Sequence, residues 1–265
     1  MRRRILRNII KYNCAVWDNL AKSGSRWTLP VDTEIIKQAQ AGTWSVHITK
    51  KPLPSDWLPK DIQGKKILCL ASAGGQQAPV LAAAGADVTV VDISLEQLAK
   101  DEFVAKRDGL MLRAIQADMT DLNMLEDNTF DYIVSPISNL YIHDLTPLWT
   151  ECYRVLVSGG ILLVSFYNPV LFIFERSELL EKQGLIKPNF ILPYSDIESL
   201  SNEKYQQKLE QGEAIIFGHT LSQQIGLQME AGFLLAGFYE DQHPTPRFII
   251  EKYMDTLIAT KAIKP

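Results

Sequence analysis

The sequence has no apolar run that approaches the ~20 residues of a membrane-spanning helix. It also has no excess of basic residues, since the formal net charge of the 265-residue chain is −4. Nucleic-acid backbones attract clustered Lys and Arg, so nothing in the overall charge favours such a partner. With 46% hydrophobic and 22% charged residues, the composition is that of an ordinary soluble globular protein. We therefore expect no membrane span and no nucleic-acid partner.

Cysteine is scarce and dispersed. Cys14, Cys69 and Cys152 form no C-x-x-C pair, and no histidine lies near them at ligand spacing. This excludes a disulfide framework and a zinc site, so we expect no metal and a reducing, cytoplasmic environment. A secretory signal is not expected either, because the first apolar stretch is short and is interrupted by Arg7 and Asn8.

The first dozen residues are locally basic, and apolar residues alternate with the basic ones at helical spacing. We interpret this segment as an amphipathic helix that packs on the body of the protein. The alternative is a contact with RNA or a membrane surface. The residues concerned are Arg2, Arg3, Arg4, Arg7 and Lys11, with Ile5, Leu6, Ile9 and Ile10 among them.

The residue pattern of the sequence divides the chain into an N-terminal cap, residues 1–63, which we expect to lie over the cofactor site, and a larger domain, residues 64–265. Four of the five tryptophans lie in the irregular cap, which a proline-rich segment closes: Trp17, Trp27, Trp44 and Trp57. From Lys65 onward, short apolar runs alternate with helical patterns, as in a buried parallel sheet with crossover helices.

Five such runs predict strands, and glycines predict helix C-termini between them. The glycines are Gly85, Gly109 and Gly159. The predicted strands are 66–71, 87–92, 112–117, 130–135 and 160–166. Successive βα units of this kind favour right-handed crossovers and a doubly wound sheet.

The alternation of apolar runs and helical patterns stops after the fifth strand. About residues 168–218 contain prolines and a polar, charged stretch instead. We predict an insertion there that covers the substrate. A helix near 220–232, a strand near 233–241, a proline-containing linker and a last strand near 255–262 follow. The fold expected is α/β, with a mostly parallel seven-stranded sheet and a C-terminal antiparallel strand.

The first strand ends in the turn "ASAGGQQ", where a ligand of a doubly wound sheet approaches backbone N–H groups. Ala71, Ala73, Gly74 and Gly75 leave room for that approach, provided that both alanines adopt a φ below zero. Gln76 follows them at the start of the next helix.

Carboxylates mark the ends of the next two strands. Asp92, followed by Ile93, ends the second strand close to the ~20-residue spacing at which an acid binds ribose hydroxyls. Asp118 follows the third strand, where it could bind an adenine amine while Met119 covers the ring. Alternative roles are a helix cap for Asp92 and a cap or turn for Asp118. Together the two acids favour a nucleoside ligand.

These residues resemble the class I S-adenosylmethionine-dependent methyltransferases, in particular the branch similar to the ubiquinone/menaquinone C-methyltransferases. The resemblance covers roughly residues 64–166 well. It includes the two strand-end acids and the segment "YRVLVSGGILLVSF" that leads into the fifth strand. It implies a Rossmann-like fold, S-adenosylmethionine as cofactor, and a cofactor site that also includes Ser135. The late pair of strands would be the family's antiparallel hairpin.

One departure concerns the family's first motif, whose acid falls on Cys69. The acid helps to hold the methionine ammonium, and a thiol does not supply that charge unless its pKa is lowered. We expect the N-terminal cap to compensate. Arg26 could pair with the methionine carboxylate, and Trp17 or Trp27 could face the sulfonium, a cation–π contact worth ~0.5–2 kcal/mol. These tryptophans could instead simply bury the cap.

Two other functions fit parts of the pattern. An NAD(P)-dependent oxidoreductase is disfavoured, because none of the nine tyrosines has a lysine four residues later. A non-catalytic S-adenosylmethionine-binding protein would explain the altered first motif. The sequence favours an enzyme acting on a small molecule, since no basic groove is apparent.

The loop after the fourth strand, "SPISNLYIHD", lies beside the transferred methyl group in this family. A general base there could accelerate the reaction by roughly 10²–10⁴-fold. Tyr141 and His143 are the predicted catalytic residues, with His219 as a weaker choice. Asn139 and Asn168 could orient a substrate oxygen. For His143 the alternative is a surface or helix-capping histidine.

Overall fold

The computed structural model describes residues 2–175 and 177–265. Seven strands form the main sheet: β1 (Lys66–Leu70), β2 (Asp87–Asp92), β3 (Arg113–Gln116), β4 (Phe130–Ser135), β5 (Leu156–Tyr167), β8 (Leu234–Asp241) and β9 (Leu257–Ile263). A second sheet pairs β6 (Tyr194–Ser195) with β7 (Phe217–Gly218).

The main sheet has the order β3-β2-β1-β4-β5-β9-β8. Strands β1 to β5 are parallel, and β9 runs antiparallel to both of its neighbours, β5 and β8. The order reverses at β1 and β4, which is the switch point of a doubly wound sheet. The predicted fold is confirmed, although β5 begins four residues before the predicted strand.

The described residues contain nine α-helices: α1 (Arg2–Lys22), α2 (Thr33–Gln40), α3 (Gln77–Ala83), α4 (Leu95–Asp108), α5 (Thr146–Val155), α6 (Glu178–Gln183), α7 (Asp196–Ser199), α8 (Asn202–Glu210) and α9 (Leu227–Glu230). A π-helical turn, Ser222–Gly226, precedes α9. No helix in this part of the chain combines the length and the hydrophobicity that crossing a membrane demands.

Alternation along β1 divides the core into two layers. Ile67 and Cys69 pack with residues of α2, α3 and α4, whereas Leu68 and Leu70 pack on the opposite face, against α5. Trp149 of α5 is fully buried in this second layer. Because successive side chains of a strand point to opposite faces, the continuous apolar run of β1 fits a sheet covered on both sides.

The three glycines expected at helix C-termini have different outcomes. Gly109 adopts a left-handed conformation at the end of α4, as predicted. Gly85 has positive φ two residues after the end of α3. Gly159 was expected to cap a helix, and this is wrong: α5 ends at Val155, and Gly159, with φ +78°, lies inside β5 where its register with β4 is irregular.

Helix α1 packs against the insertion that follows β5. The Asn13 side chain donates to the carbonyl of Ile215 at 3.0 Å and accepts its N–H at 2.8 Å. Ile9 packs with Ile215 and Phe217, while Arg7 is exposed, as the packed-helix interpretation predicts. We call α1 and residues 168–218 together the roof. The side chains of the other predicted members, Arg2, Arg3, Arg4 and Ile5, lie outside those described.

Two of the cap tryptophans have structural roles. Trp57 is buried and its ring centroid lies 5.0 Å from that of Tyr239 on β8. Trp44 packs against the same core layer. These contacts fix the segment between α2 and β1 against the sheet. The division of the chain at residue 63 stays a prediction.

Candidate functional site

The turn after β1 has an unusual backbone. Ala71 and Ala73 adopt φ of 44° and 63°, in the left-handed region. The expectation of negative φ was therefore wrong. The left-handed region costs a residue with a Cβ roughly 1–2 kcal/mol, so the surrounding contacts must hold the turn in this shape.

Helix α4 supplies these contacts. Gln97 Oε1 accepts the N–H of Gly74 at 2.9 Å, and Asp101 Oδ1 accepts the N–H of Gly75 at 2.8 Å. A Cβ on Gly74 would lie 2.2 Å from the carbonyl oxygen of Gln97, and one on Gly75 would lie 2.7 Å from Pro30 Cβ. The two glycines thus allow close packing of the turn between α4 and the cap.

A cavity of about 960 Å³ lies at the carboxyl ends of the strands, between the turn and the roof. Ten of the predicted site residues line it: Trp27, Ala71, Ala73, Gln76, Asp92, Ile93, Asp118, Met119, Tyr141 and His143. Trp17 lines it as well, whereas Gly74, Gly75 and Ser135 lie outside its lining. Ser135 is buried.

Asp92 is half-buried at the end of β2. Its Oδ1 accepts the N–H of Ser94 at 2.8 Å, and Ser94, not Asp92, is the N-cap of α4. Burial raises the pKa of Asp92 to about 6, with the nearby Asp18 acting in the same direction and the Ser94 N–H opposing them. An ionised Asp92 therefore gains from hydrogen-bond donors in the cavity, such as ribose hydroxyls.

Asp118 and Met119 occupy the cavity wall beyond β3. Asp118 Oδ1 accepts both the N–H and the hydroxyl of Thr120, at 2.9 and 2.8 Å. The turn role considered for Asp118 is thus present. It uses one oxygen of a residue that also borders the cavity, so the turn holds the carboxylate in place beside it.

Tyr141 and His143 face the cavity from the loop after β4. The Tyr141 ring contacts Trp17 edge to face at 5.4 Å, and the His143 ring contacts Phe217 in the same way at 5.3 Å. Both contacts join the β4 loop to the roof. His143 is half-buried in this arrangement and does not cap a helix.

The weaker candidates have structural roles. His219 is buried and its Nε2 lies 2.9 Å from the carbonyl of Ile142. Burial lowers its pKa, which disfavours the imidazolium. Asn139 is buried and donates to Gln224 Oε1 at 2.6 Å. Asn168 Oδ1 accepts the Val170 N–H and caps a 3₁₀ turn. None of the three lines the cavity.

Cys69, which replaces the family's first-motif acid, is fully buried in β1. Burial raises the pKa of its thiol, so it carries no charge at neutral pH. The neighbouring Asp101 raises that pKa further. Burial raises the pKa of Asp101 itself to about 8, against the hydrogen bond from Gly75. The Asp101 carboxyl group accepts a hydrogen bond from the turn and lies on α4, whereas the family's acid would lie on β1.

Three cations surround Trp27. The guanidinium carbons of Arg26 and Arg247 lie 4.5 and 5.6 Å from the Trp27 ring centroid, and Lys50 Nζ lies 4.6 Å from it. Arg26 is exposed and outside the cavity lining, whereas Lys50 and Arg247 belong to that lining. The indole thus holds positive charge at the border of the cavity.

Sequence reasoning missed a histidine–carboxylate pair. His243 lines the cavity, and its Nδ1 lies 2.6 Å from Oε1 of Glu251, which is buried. The two residues flank the linker after β8, which contains Pro244 and Pro246. Their spacing has no helical or strand period, so the sequence offers no signal that would bring them together.

Comparison with known proteins agrees with the fold. Residues 68–164 match the model of a methyltransferase domain. The chain is 44% identical over 257 residues to the uncharacterized methyltransferase YbaJ of Bacillus subtilis, which covers 97% of this chain and 98% of that protein.

More distant relatives share part of the chain or its fold. A ubiquinone biosynthesis O-methyltransferase of Psychrobacter arcticus is 27% identical over 109 residues, 40% of this chain and 42% of that protein. The S-adenosylmethionine-dependent methyltransferase of Mesorhizobium loti superposes with a TM-score of 0.58 at 17% identity, covering 78% of this chain and 94% of that one. The chain belongs to the methyltransferases and is an enzyme of that family.

Proposed function

We propose that the enzyme uses S-adenosylmethionine as cofactor and methylates a small molecule inside the cavity beneath the roof. The observation that carries this proposal is the continuity of one cavity of about 960 Å³ from Asp92 and Asp118 to Tyr141 and His143. Its volume is at the upper end of the ~300–1,000 Å³ of small-molecule sites, which supports simultaneous binding of cofactor and acceptor.

The described residues fit the cofactor at its adenosine end. Asp92 would accept hydrogen bonds from the ribose hydroxyls, and Asp118 would accept one from the adenine amine beside Met119. The raised pKa of the half-buried Asp92 carboxyl group supports this assignment, because donors from a ligand would stabilise its charge. When bound, the cofactor supplies a methyl group that is already activated by its sulfonium.

The protein's part in the reaction is to align the acceptor and to exclude water. Tyr141 and His143 would border the acceptor, held by their ring contacts with Trp17 and Phe217. The roof would exclude solvent from the same space. The three cysteines described are unpaired thiols, which supports our proposal of a reducing, cytoplasmic location.

Calorimetry tests the cofactor site. The wild-type protein should bind S-adenosylmethionine and S-adenosylhomocysteine and should show no heat with NAD. Asp92→Ala should abolish binding, while Asp87→Ala, at the exposed opposite end of the same strand, should retain it. Retained affinity in Asp92→Ala would contradict the placement of the ribose.

Label transfer tests the reaction. Methyl-labelled S-adenosylmethionine is incubated with the enzyme and a metabolite extract, and His143→Ala should bind the cofactor normally but label more slowly. If the wild-type protein binds the cofactor and labels macromolecules only, the small-molecule acceptor is wrong.

A further inference from the structure

The linker after β8 holds a buried imidazole whose environment is that of a general base. His243 Nδ1 lies 2.6 Å from Glu251 Oε1. His243 Nε2 is buried, and it has no hydrogen-bond partner among the described residues. His243 also lines the cavity, so an acceptor bound there is the candidate partner for this nitrogen.

Glu251 fixes the tautomer of the imidazole. Burial raises the pKa of Glu251, but hydrogen bonds from His243, Thr256 and the backbone N–H groups of Arg247 and Phe248 outweigh it and hold the pKa at about 2. The carboxylate is therefore ionised and Nδ1 must carry the hydrogen that it donates. In a neutral imidazole the other nitrogen, Nε2, is then the proton acceptor.

The cations around Trp27 lack acidic partners. Among the described residues, neither Arg26, Lys50 nor Arg247 has a carboxylate oxygen within 4.0 Å of its side-chain nitrogens. Burial and the two guanidinium groups lower the pKa of Lys50, which Asp241 only partly opposes. The Asp241 carboxylate already accepts backbone N–H groups of the same segment. An anion at this position would relieve the repulsion.

The imidazole and the cations belong to one surface. Arg247 lies 5.3 Å from the Phe248 ring, and that ring lies 6.1 Å from the His243 ring. Arg247 also donates to the Tyr167 hydroxyl at 3.2 Å, at the end of β5. This surface is formed by the ends of β5 and β8, away from Asp92 at the end of β2. Strands β1 and β4 separate these strand ends from β2, so we place the acceptor here.

We infer that the acceptor is an anionic molecule, a carboxylate or phosphate, whose methylated atom bears a weakly acidic proton. Lys50 and Arg247 bind the anionic group, and His243, positioned by Glu251, removes the proton. This inference rests on the proposed function, because it identifies the acceptor of the same cavity.

In the reaction of an acceptor X–H, the X–H proton passes to His243 Nε2, and the electron pair left on X forms the bond to the methyl carbon. The bond from that carbon to sulfur breaks with its electron pair on sulfur, so the sulfonium becomes a thioether. The imidazolium then loses its proton to solvent.

His243→Gln tests the base. The rate of label transfer should fall by roughly 10²–10⁴-fold, with unchanged affinity for S-adenosylhomocysteine. The deficit should shrink as pH rises, because a weakly acidic acceptor ionises unaided. Gln242→Ala changes the exposed side chain next to His243, which lies outside the cavity lining, and it should retain its rate.

Glu251→Gln tests the positioning role through kcat at saturating acceptor. We expect a smaller loss than for His243→Gln, again pH-dependent, in protein whose melting is checked first. A His243→Gln variant that folds, binds S-adenosylhomocysteine and labels at the wild-type rate would overturn the assignment, as would a deficit that is constant with pH.

The cation cluster is tested in the Lys50→Met/Arg247→Met double variant. Labelled products of a metabolite extract are separated by anion exchange, and the wild-type label should be in the anionic fraction. The double variant should lose most of this label. Lys51→Met should not, since the Lys51 ammonium lies outside the cavity lining and donates to the carbonyl of Glu240.

A second measurement separates the acceptor from the cofactor, whose methionine carboxylate is also an anion. Affinities for S-adenosylhomocysteine and for 5′-methylthioadenosine, which lacks the amino-acid part, should be unchanged in the double variant. A selective loss of S-adenosylhomocysteine affinity would assign the cations to the cofactor and overturn the inference, as would wild-type label in neutral products only. Absence of S-adenosylhomocysteine binding by the wild type would instead contradict the proposed function.

Discussion

Asp92→Asn should make the ligand-free protein more stable while it removes cofactor binding. In the folded protein the pKa of Asp92 is raised from 3.8 to about 6, chiefly by burial. Each pKa unit corresponds to 1.36 kcal/mol, so the ionised carboxylate destabilises the folded state by up to ~3 kcal/mol. Asparagine keeps an oxygen that can accept the Ser94 N–H and removes the charge that is buried near Asp18.

The stability of the wild-type protein depends on pH, because the pKa of Asp92 differs between the folded and the unfolded state. Between pH 3.8 and 6 the folded protein binds more protons at this site than the unfolded chain does, so wild-type stability falls as pH rises through that window. The variant lacks this loss. Its advantage should be small near pH 4 and complete above pH 7, where a gain of ~1–3 kcal/mol raises Tm by roughly 3–10 °C.

Thermal unfolding at pH 5 and pH 8, with and without S-adenosylhomocysteine, measures both effects. The ligand should stabilise the wild-type protein by mass action and leave Asp92→Asn unchanged. Asp87→Asn, at the exposed end of β2, should match the wild type in both respects. The reasoning is refuted if Asp92→Asn melts at or below the wild-type temperature at pH 8, or if its advantage is the same at both pH values.

Four further substitutions test the turn, helix α3 and the hydrogen bonds of Arg154. Ala73→Gly should raise the free energy of unfolding by about 1 kcal/mol in urea titration, because its φ of 63° suits glycine, whereas Ala78→Gly inside α3 should lower it by a similar amount. Gly75→Ala should lower the free energy of unfolding by ~2 kcal/mol or more and weaken cofactor binding, because the added Cβ meets Pro30. If this variant is as stable as the wild type, the turn can move away from the cap. Arg154→Met should cost about 2–4 kcal/mol, because the guanidinium binds two carboxylates and two backbone carbonyls, and a midpoint unchanged in urea would show those bonds to be dispensable.

The sheet could be predicted because buried parallel strands are continuous apolar runs. The strands at 87–92 and 130–135 were predicted to the residue, and the acids Asp92 and Asp118 follow from the rule that ligands bind at strand ends. Strand β5 was predicted too short, because Val157 to Gly159 read as a helix end with its cap. There the pairing with β4 and β9 overrides the local glycine signal.

The parts of the site that could not be predicted depend on contacts between distant residues. The φ of Ala73 is imposed by packing of the turn on α4, through hydrogen bonds of Gln97 and Asp101 that no local pattern announces. His243 and Glu251 meet because the linker folds back on itself, and a linker with two prolines has no periodicity from which such a turn can be inferred.

The double hydrogen bond between Asn13 and Ile215 has a consequence for synthesis of the chain. It joins residues that are 202 positions apart. Helix α1 therefore cannot pack against its partner segment until residue 215 has left the ribosome. The strands β1 to β5 and their helices can pair in the meantime. The cavity is thus closed by α1 only after residue 215 has been synthesised, and until then the apolar side of α1 is exposed to chaperones.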